Sequence, residues 1–382
     1  MNFVFVGTSA GARGTETHLV CLVRALARAG HTVLTVARPG GYIARELTAS
    51  GLPVEPGIFR NAADVRGARG VLRAIQRVKA DWLVGSFGHE YWPLLTLGRL
   101  TGTPVALFRH LNSRLKPMSR ALLPRWADRF IVVSENMRSF LVEQGVARER
   151  VRLLYNPLEV ERFRPDPALR AESRRALGVG EDAVLVGFVG ALKPEKGAFR
   201  LAAACNQAMP LRPSLRALWV GEEAAHSRLL ETIASEFHGR HILRGWTADM
   251  RPLYAAMDVL AVPSEWLEPF GRVSIEAQAC GVPVLASRIG GLPETLREGE
   301  TGFLFPPGDE AAWRDALVTA ADLPREQRRA MGEAGMRFVQ ERFSTERIVE
   351  ELIDLLRTPP GRENRRRPAT LCQPSGTHPS ME

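Results

Sequence analysis

The sequence predicts an α/β fold of two doubly wound halves, each a parallel sheet covered by helices on both faces. Three observations carry that reading. Short apolar runs alternate with amphipathic helical stretches from the first residue onward. The alternation lapses between Asn156 and about Asp182, where Asn156-Pro157 and Pro165-Asp166-Pro167 read as loop, and then starts again. The 382 residues also exceed what one ordinary core fills. In the first half, strands are expected at 2–6, 32–37, 82–85, 105–108 and 130–133, with helical segments such as 15–29, 68–79 and 135–144 between them. Ser134 stands where strand gives way to helix and is a natural N-cap. The linker is expected at 156–182. In the second half, strands are expected at 184–189, 217–220, 259–262 and 284–286. From Pro307 to Arg357 the pattern is helical, with Ser344 capping the last helix. The domains follow as 1–170 and 171–343, with a helix 344–357 packing back on the first. The tail 358–382 is rich in Pro, Ser, Gly and Arg and is expected to be disordered.

Composition narrows the function classes. A hydrophobic content of 45% with 24% charged residues is that of a soluble globular protein. No apolar run approaches the ~20 residues that cross a bilayer. The start, Met1 to Gly7, lacks a basic head and a long apolar stretch and reads as a first strand rather than a signal peptide. Cys21, Cys205, Cys280 and Cys372 have no metal or redox spacing, which points to a reducing cytoplasm. The net charge of +9 is uneven: residues 1–170 hold 25 basic and 13 acidic residues (+12), and 171–382 hold 26 and 29 (−3). An anionic partner is therefore expected on the first half. The segment 113–129 sets Arg114, Lys116, Arg120, Arg125 and Arg129 among Leu115, Met118, Leu122, Leu123 and Trp126. A core-facing helix with a solvated basic face explains that pattern. So does peripheral contact with an anionic membrane surface, which we take as the working expectation, with no nucleic-acid partner.

The most informative stretch runs from Glu268-Pro269-Phe270-Gly271-Arg272 through Glu276 to Gly281-Val282-Pro283. It reads as a polar loop after a strand, a helix opening near Gly271 and stopping at Gly281, and a next strand after Pro283. Loops that feed a helix N-terminus at the carboxyl end of a parallel strand bind phosphates. Glu268 precedes the helix and Glu276 lies within it, so one carboxylate can hold sugar hydroxyls and the other a ribose diol, or both can be ordinary surface glutamates. In the first half, Gly7, Gly11 and Gly14 follow the first strand with dinucleotide-like spacing. The second strand, however, ends at Arg38 rather than at an acid for the ribose. His110 sits at the carboxyl end of strand 105–108 and is read as an active-site group rather than a polar loop residue.

Together these segments resemble the family-4 glycosyltransferases of the GT-B fold, in which two Rossmann-like domains face each other across a cleft. The signature is the pair of glutamates with seven residues between them in the frame Glu268-Pro269-Phe270-Gly271…Glu276-Ala277…Gly281-Val282-Pro283. Val189-Gly190-Ala191-Leu192-Lys193-Pro194-Glu195-Lys196-Gly197 resembles the phosphate loop. Tyr254 to Asp258, Val262-Pro263-Ser264, Gly290 to Glu294, Gly302-Phe303-Leu304 and Gly14-Thr15-Glu16 match in order, so the likeness spans Met1 to Arg357. It implies an acceptor-binding first domain and a nucleotide-sugar-binding second domain. It implies Glu268 on the donor sugar, Glu276 on the ribose and Lys196 on the diphosphate. Gly14, Gly190 and the backbone at Phe270 and Gly271 would complete the donor pocket, and His110 would lie near the donor sugar. The family usually has an arginine where this chain has Ala191, so that phosphate contact is either missing or supplied by Lys193 or Arg272.

The reaction this implies is retaining transfer of a sugar from a nucleotide-sugar co-substrate to an acceptor hydroxyl. A UDP-sugar is the default donor and a GDP-sugar its rival; no other cofactor is expected. The acceptor is expected to be a glycan or a lipid-linked molecule of cell-envelope or lipopolysaccharide type. The sequence has no Asp-x-Asp metal motif, and the resemblance implies metal-independent chemistry. A sugar-nucleotide epimerase of the same architecture, a nucleotide-dependent dehydrogenase and a non-catalytic sugar-nucleotide-binding protein are the competing readings.

Overall fold

A computed structural model describes residues 1–11, 14–60 and 64–357. The tail 358–382 lies outside the described residues. The first sheet has seven parallel strands: β1 (Asn2–Gly7), β2 (Thr32–Ala37), β3 (Val54–Pro56), β4 (Trp82–Gly85), β5 (Val105–Arg109), β6 (Arg129–Val132) and β7 (Val151–Leu153), in the order β3-β2-β1-β4-β5-β6-β7. The second has six: β8 (Val184–Val189), β9 (Leu215–Val220), β10 (His241–Arg244), β11 (Val259–Val262), β12 (Val284–Ser287) and β13 (Gly302–Phe305), in the order β10-β9-β8-β11-β12-β13, again all parallel. Strand order reverses between β1 and β4 and between β8 and β11. Such switch points leave a crevice at the carboxyl ends of the strands, where α/β proteins bind ligands.

The central strands are buried along nearly their whole length, as helices on both faces require. One core cluster is continuous across the two halves. It joins Val4 and Val6 of β1 to Leu185 and Val189 of β8 through Leu158, Phe163, Phe270 and Phe343. The outer face of the first sheet is closed by the helix Thr345–Arg357, whose Ile348, Val349, Leu352, Ile353 and Leu356 pack with Phe3, Phe5 and Phe108. Each such burial contributes about 1.5–3 kcal/mol. Arg129 Nε fixes the register by donating to the Leu355 carbonyl at 2.8 Å. Ser134 caps the helix Glu135–Glu143, accepting from the Met137 amide at 3.1 Å.

The expected linker at 156–182 requires correction. A helix, Pro167–Ala176, occupies its middle, with Asp166 as N-cap accepting from the Leu169 amide at 2.9 Å. Pro165-Asp166-Pro167 is thus a helix start, a cap followed by proline at the first helical position, rather than a loop. Arg170 and Arg174 anchor this helix to Asp258 at 2.6 and 2.9 Å.

Candidate active site

In the second half, the site begins at Gly190, just after β8 ends at Val189. The chain turns through Pro194–Lys196 and reaches Gly197 in the left-handed region (φ 72°), where a Cβ would stand 1.9 Å from the Pro263 carbonyl oxygen. Only glycine permits that approach, and it sets Lys196 against the loop that follows β11. Glu265 donates its amide to the Glu195 carbonyl at 2.9 Å, and its carboxylate holds Arg200 through two bonds of 2.6 and 3.2 Å. Within this frame, Lys196 Nζ donates to Glu268 Oε1 at 2.5 Å and Ser264 Oγ donates to the same oxygen at 2.6 Å. Gly290 grips the other side, since a Cβ there would lie 2.3 Å from the Glu268 carbonyl oxygen, and Gly291 N donates to that oxygen at 2.7 Å.

After Gly271 (φ 106°) the helix Arg272–Ala279 opens with no side chain capping its N-terminus, which leaves its first amides for a ligand. One turn in, Glu276 accepts from Arg272 Nε at 2.8 Å and from the Tyr254 hydroxyl at 2.9 Å. Burial, with the Glu276 charge beside it, pushes the Tyr254 phenol well above its ordinary value, so it stays a donor. Arg272 also donates to the Pro157 carbonyl at 3.2 Å and is therefore engaged by the protein itself. Lys193 is exposed, with its amide on the Ala191 carbonyl at 2.9 Å. The Phe270 ring is core, packed with Tyr155 and Phe343 at 5.9 and 5.4 Å.

In the first half, His110 follows β5 and stacks on Phe108, with ring centres 6.1 Å apart. A second histidine, His18 of the helix Gly14–Arg28, meets it at 4.5 Å. Among the described residues, both nitrogens of His18 and Nε2 of His110 are shielded and unpartnered. Burial pulls His110 down to about 3. Burial, then His110 and then Arg272 across the cleft, hold His18 well below its ordinary value. Both rings are neutral near pH 7. Arg109 shapes the following loop by donating to the backbone and hydroxyl of Ser113. Asn112 Nδ2 then reaches the carbonyls of Leu267 and Glu268 at 3.3 and 3.4 Å. The His110 loop of one half thus touches the Glu268 loop of the other. Gly14 opens its helix and is exposed; residues 12 and 13 lie outside the described residues. Glu16 is buried and accepts from Ser9 Oγ.

Three groups at the cleft escaped the sequence reading. His18 is one polar residue of an amphipathic helix and carries no motif. Glu90 is fully buried at the β1–β4 switch point, where Oε1 accepts from the Thr8 amide and hydroxyl at 2.6 and 2.7 Å. Burial, partly offset by those bonds, pushes its carboxyl up to about 8. Glu294 closes the Gly290 to Glu294 motif with no separate sign of its role. Its carboxylate caps a helix of the other half, accepting from the amides of Glu135 and Asn136 at 2.7 and 2.9 Å and from the Tyr155 hydroxyl at 3.0 Å.

Comparison with known proteins identifies the family and the fold. The profile of the glycosyl transferases group 1 matches residues 170–338, and that of glycosyltransferase family 4 matches residues 12–162. A D-inositol 3-phosphate glycosyltransferase of Saccharomonospora viridis is 33% identical over 298 residues, covering 72% of this chain and 68% of that protein. One of the same name from Thermobifida fusca is 32% identical, covering 67% and 63%. Among solved structures, Anabaena HepE in complex with UDP and glucose superposes with a TM-score of 0.80 at 23% identity, over 93% of this chain and 99% of that one. A glycosyltransferase of Rickettsia africae gives 0.84 at 19%, over 93% and 97%. The two facing sheets are those of the GT-B fold, and the chain belongs to the family-4, group 1 glycosyltransferases.

Proposed function

We propose that this glycosyltransferase moves a sugar from a UDP-linked donor to an acceptor hydroxyl with retention of anomeric configuration. The observation that carries the reading is the Lys196 ammonium on the Glu268 carboxylate at the carboxyl ends of β8 and β11, with the His110 loop hydrogen-bonded to the same backbone. Structures of HepE hold UDP and UDP-glucose, which favours a uridine nucleotide. Departure of the diphosphate is the costly charge event. Lys196 and the uncapped amides at Arg272 oppose that charge. Glu268 then has its oxygens for sugar hydroxyls, and Glu276, with Tyr254 fixing one oxygen, accepts from the ribose. His110 is neutral and acts as a hydrogen-bonding partner of the sugar, not as a cation. The leaving group is already good, so no second carboxylate opposite Glu268 is needed.

The acceptor in this reading is a glycan or a lipid-linked molecule approaching the first half, as in envelope polysaccharide or lipopolysaccharide synthesis. Among the described residues no helix is long and apolar enough to cross a membrane. The helix Pro117–Trp126 leaves Met118 and Trp126 exposed among its basic residues, which suits peripheral contact with anionic lipid. Trp126 is also braced by Arg99 at 4.1 Å and by Trp92. Co-sedimentation with phosphatidylglycerol vesicles in excess of phosphatidylcholine vesicles is expected; equal recovery removes the membrane from the account.

The test of the donor assignment is a thermal-shift screen of UDP- and GDP-sugars on the wild type and on Glu276→Ala. One donor series should raise the melting temperature of the wild type and lose most of that effect in the variant. Equal shifts in both proteins would overturn the ribose assignment.

A further inference from the structure

Trp266 stands out among the large apolar side chains on the surface. It is 40% exposed, on the loop that carries Glu268, with Leu267 beside it 37% exposed. Isolated exposed aromatics on loose loops need no explanation. This loop is held on three sides: Glu265 by Arg200, the Leu267 carbonyl by Asn112, and the Glu268 carbonyl by the Gly291 amide. The indole is therefore presented rather than trailing. One face looks toward Lys196, whose Nζ lies 5.6 Å from the ring centre while bonding Glu268. Across the cleft mouth, Leu111 is also exposed, next to the Asn112 that contacts this loop.

A rigid aromatic face next to a carboxylate and an ammonium suits a ligand with one flat C–H face and a polar edge. A pyranose ring has that shape: its axial C–H bonds carry partial positive charge toward the negative face of the indole, and its hydroxyls reach Glu268. We propose that Trp266 is the stacking platform for a pyranose ring at the mouth of the cleft and so selects the sugar the enzyme accepts there. This rests on the donor-site reading above. The ring is either that of the donor sugar or that of a saccharide acceptor, two sources of one chemistry.

The experiment uses the full chain as wild type, Trp266→Ala and Trp266→Phe. Calorimetry measures the bare nucleotide, the nucleotide sugar that stabilises the wild type, and, with the nucleotide present, methyl α-D-glucopyranoside and n-octyl β-D-glucopyranoside. Bare nucleotide affinity should stay within twofold in all three proteins. If the donor ring stacks, the Ala variant loses at least tenfold in affinity for the nucleotide sugar. If an acceptor ring stacks, the donor is unaffected and glucoside affinity falls at least tenfold, seen as a raised acceptor KM at constant kcat in turnover. In either case Phe keeps most of the affinity, which a merely structural role for the indole does not predict. Unchanged affinity for both the nucleotide sugar and the glucosides, or a Phe variant as weak as Ala, overturns the proposal. A wild type that binds no nucleotide at all would instead defeat the donor-site reading, and the platform with it.

Discussion

The two walls of the cleft treat their polar groups in opposite ways. On the second half, the charges are paired with one another: Lys196 with Glu268, and Arg272 with Glu276, each supported by a hydroxyl from Ser264 or Tyr254. On the first half, the two histidine rings are neutral, and among the described residues several polar atoms have no partner: both nitrogens of His18, His110 Nε2 and Asn112 Oδ1. Buried polar atoms without partners cost about 1–3 kcal/mol each, so a ligand that satisfies them gains that much. Paired charges hold a different promise: an anionic ligand can displace one partner and inherit its hydrogen bonds already in place. In the proposed reading, that contrast sets the diphosphate beside the charged groups of the second half and leaves the unpartnered atoms of the first for neutral hydroxyls, in addition to those held by Glu268 and Glu276.

The largest expected effect is on the paired wall. Lys196→Ala should lower kcat by roughly 10²–10³-fold, as removal of one preorganised charge-stabilising group does elsewhere. The nucleotide-sugar KM should rise as well, by about tenfold, because the same ammonium meets the diphosphate in the ground state; turnover assays with product detection check it, and a rise in KM with kcat unchanged would break the contrast. Next in size is the contact that joins the walls. Glu294→Ala removes the carboxylate that joins Ser134 in capping the start of the helix Glu135–Glu143 and should destabilise the protein by about 0.5–2 kcal/mol, read by denaturant unfolding. An unchanged midpoint would mean that the Glu294 carboxylate adds nothing to the other contacts that join the halves.

The smallest effect sharpens the picture of the neutral wall through pH. Glu90 is raised to about 8 in the folded chain, so the folded state keeps a proton that the unfolded state loses above about 4.5. Stability tied to Glu90 is full below that lower value and declines as pH climbs toward 8. His110, lowered to about 3, works in the other window: its contribution is present above about 6.5 and is lost as pH falls. Melting temperatures between pH 6 and 9 should therefore fall more steeply for the wild type than for Glu90→Gln. Parallel curves would show that Glu90 is not protonated in the fold.

How much of this was legible depended on the reach of each signal. The strands the sequence reading omitted, β3, β7, β10 and β13, are the four sheet edges. With a neighbour on one side only, Val54-Glu55-Pro56, Val151-Arg152-Leu153 and His241 to Arg244 need no unbroken apolar run, whereas the buried central strands do. Glu268, Glu276 and Lys196 were visible because their frame is local or near-local. Glu90 and Glu294 were not, because their partners are 82 and 159 residues away in sequence. His18 acquires meaning only when the fold sets His110 against it. The helix Pro167–Ala176 is hidden for another reason: its cap-and-proline start, Asp166-Pro167, has the composition of a loop.

The division of labour between the walls is tested most directly by titrating UDP into Lys196→Ala and His110→Ala alongside the wild type. The account predicts an affinity at least tenfold weaker in the lysine variant and within twofold of wild type in the histidine variant. Equal losses in both, or a loss confined to His110→Ala, would contradict it.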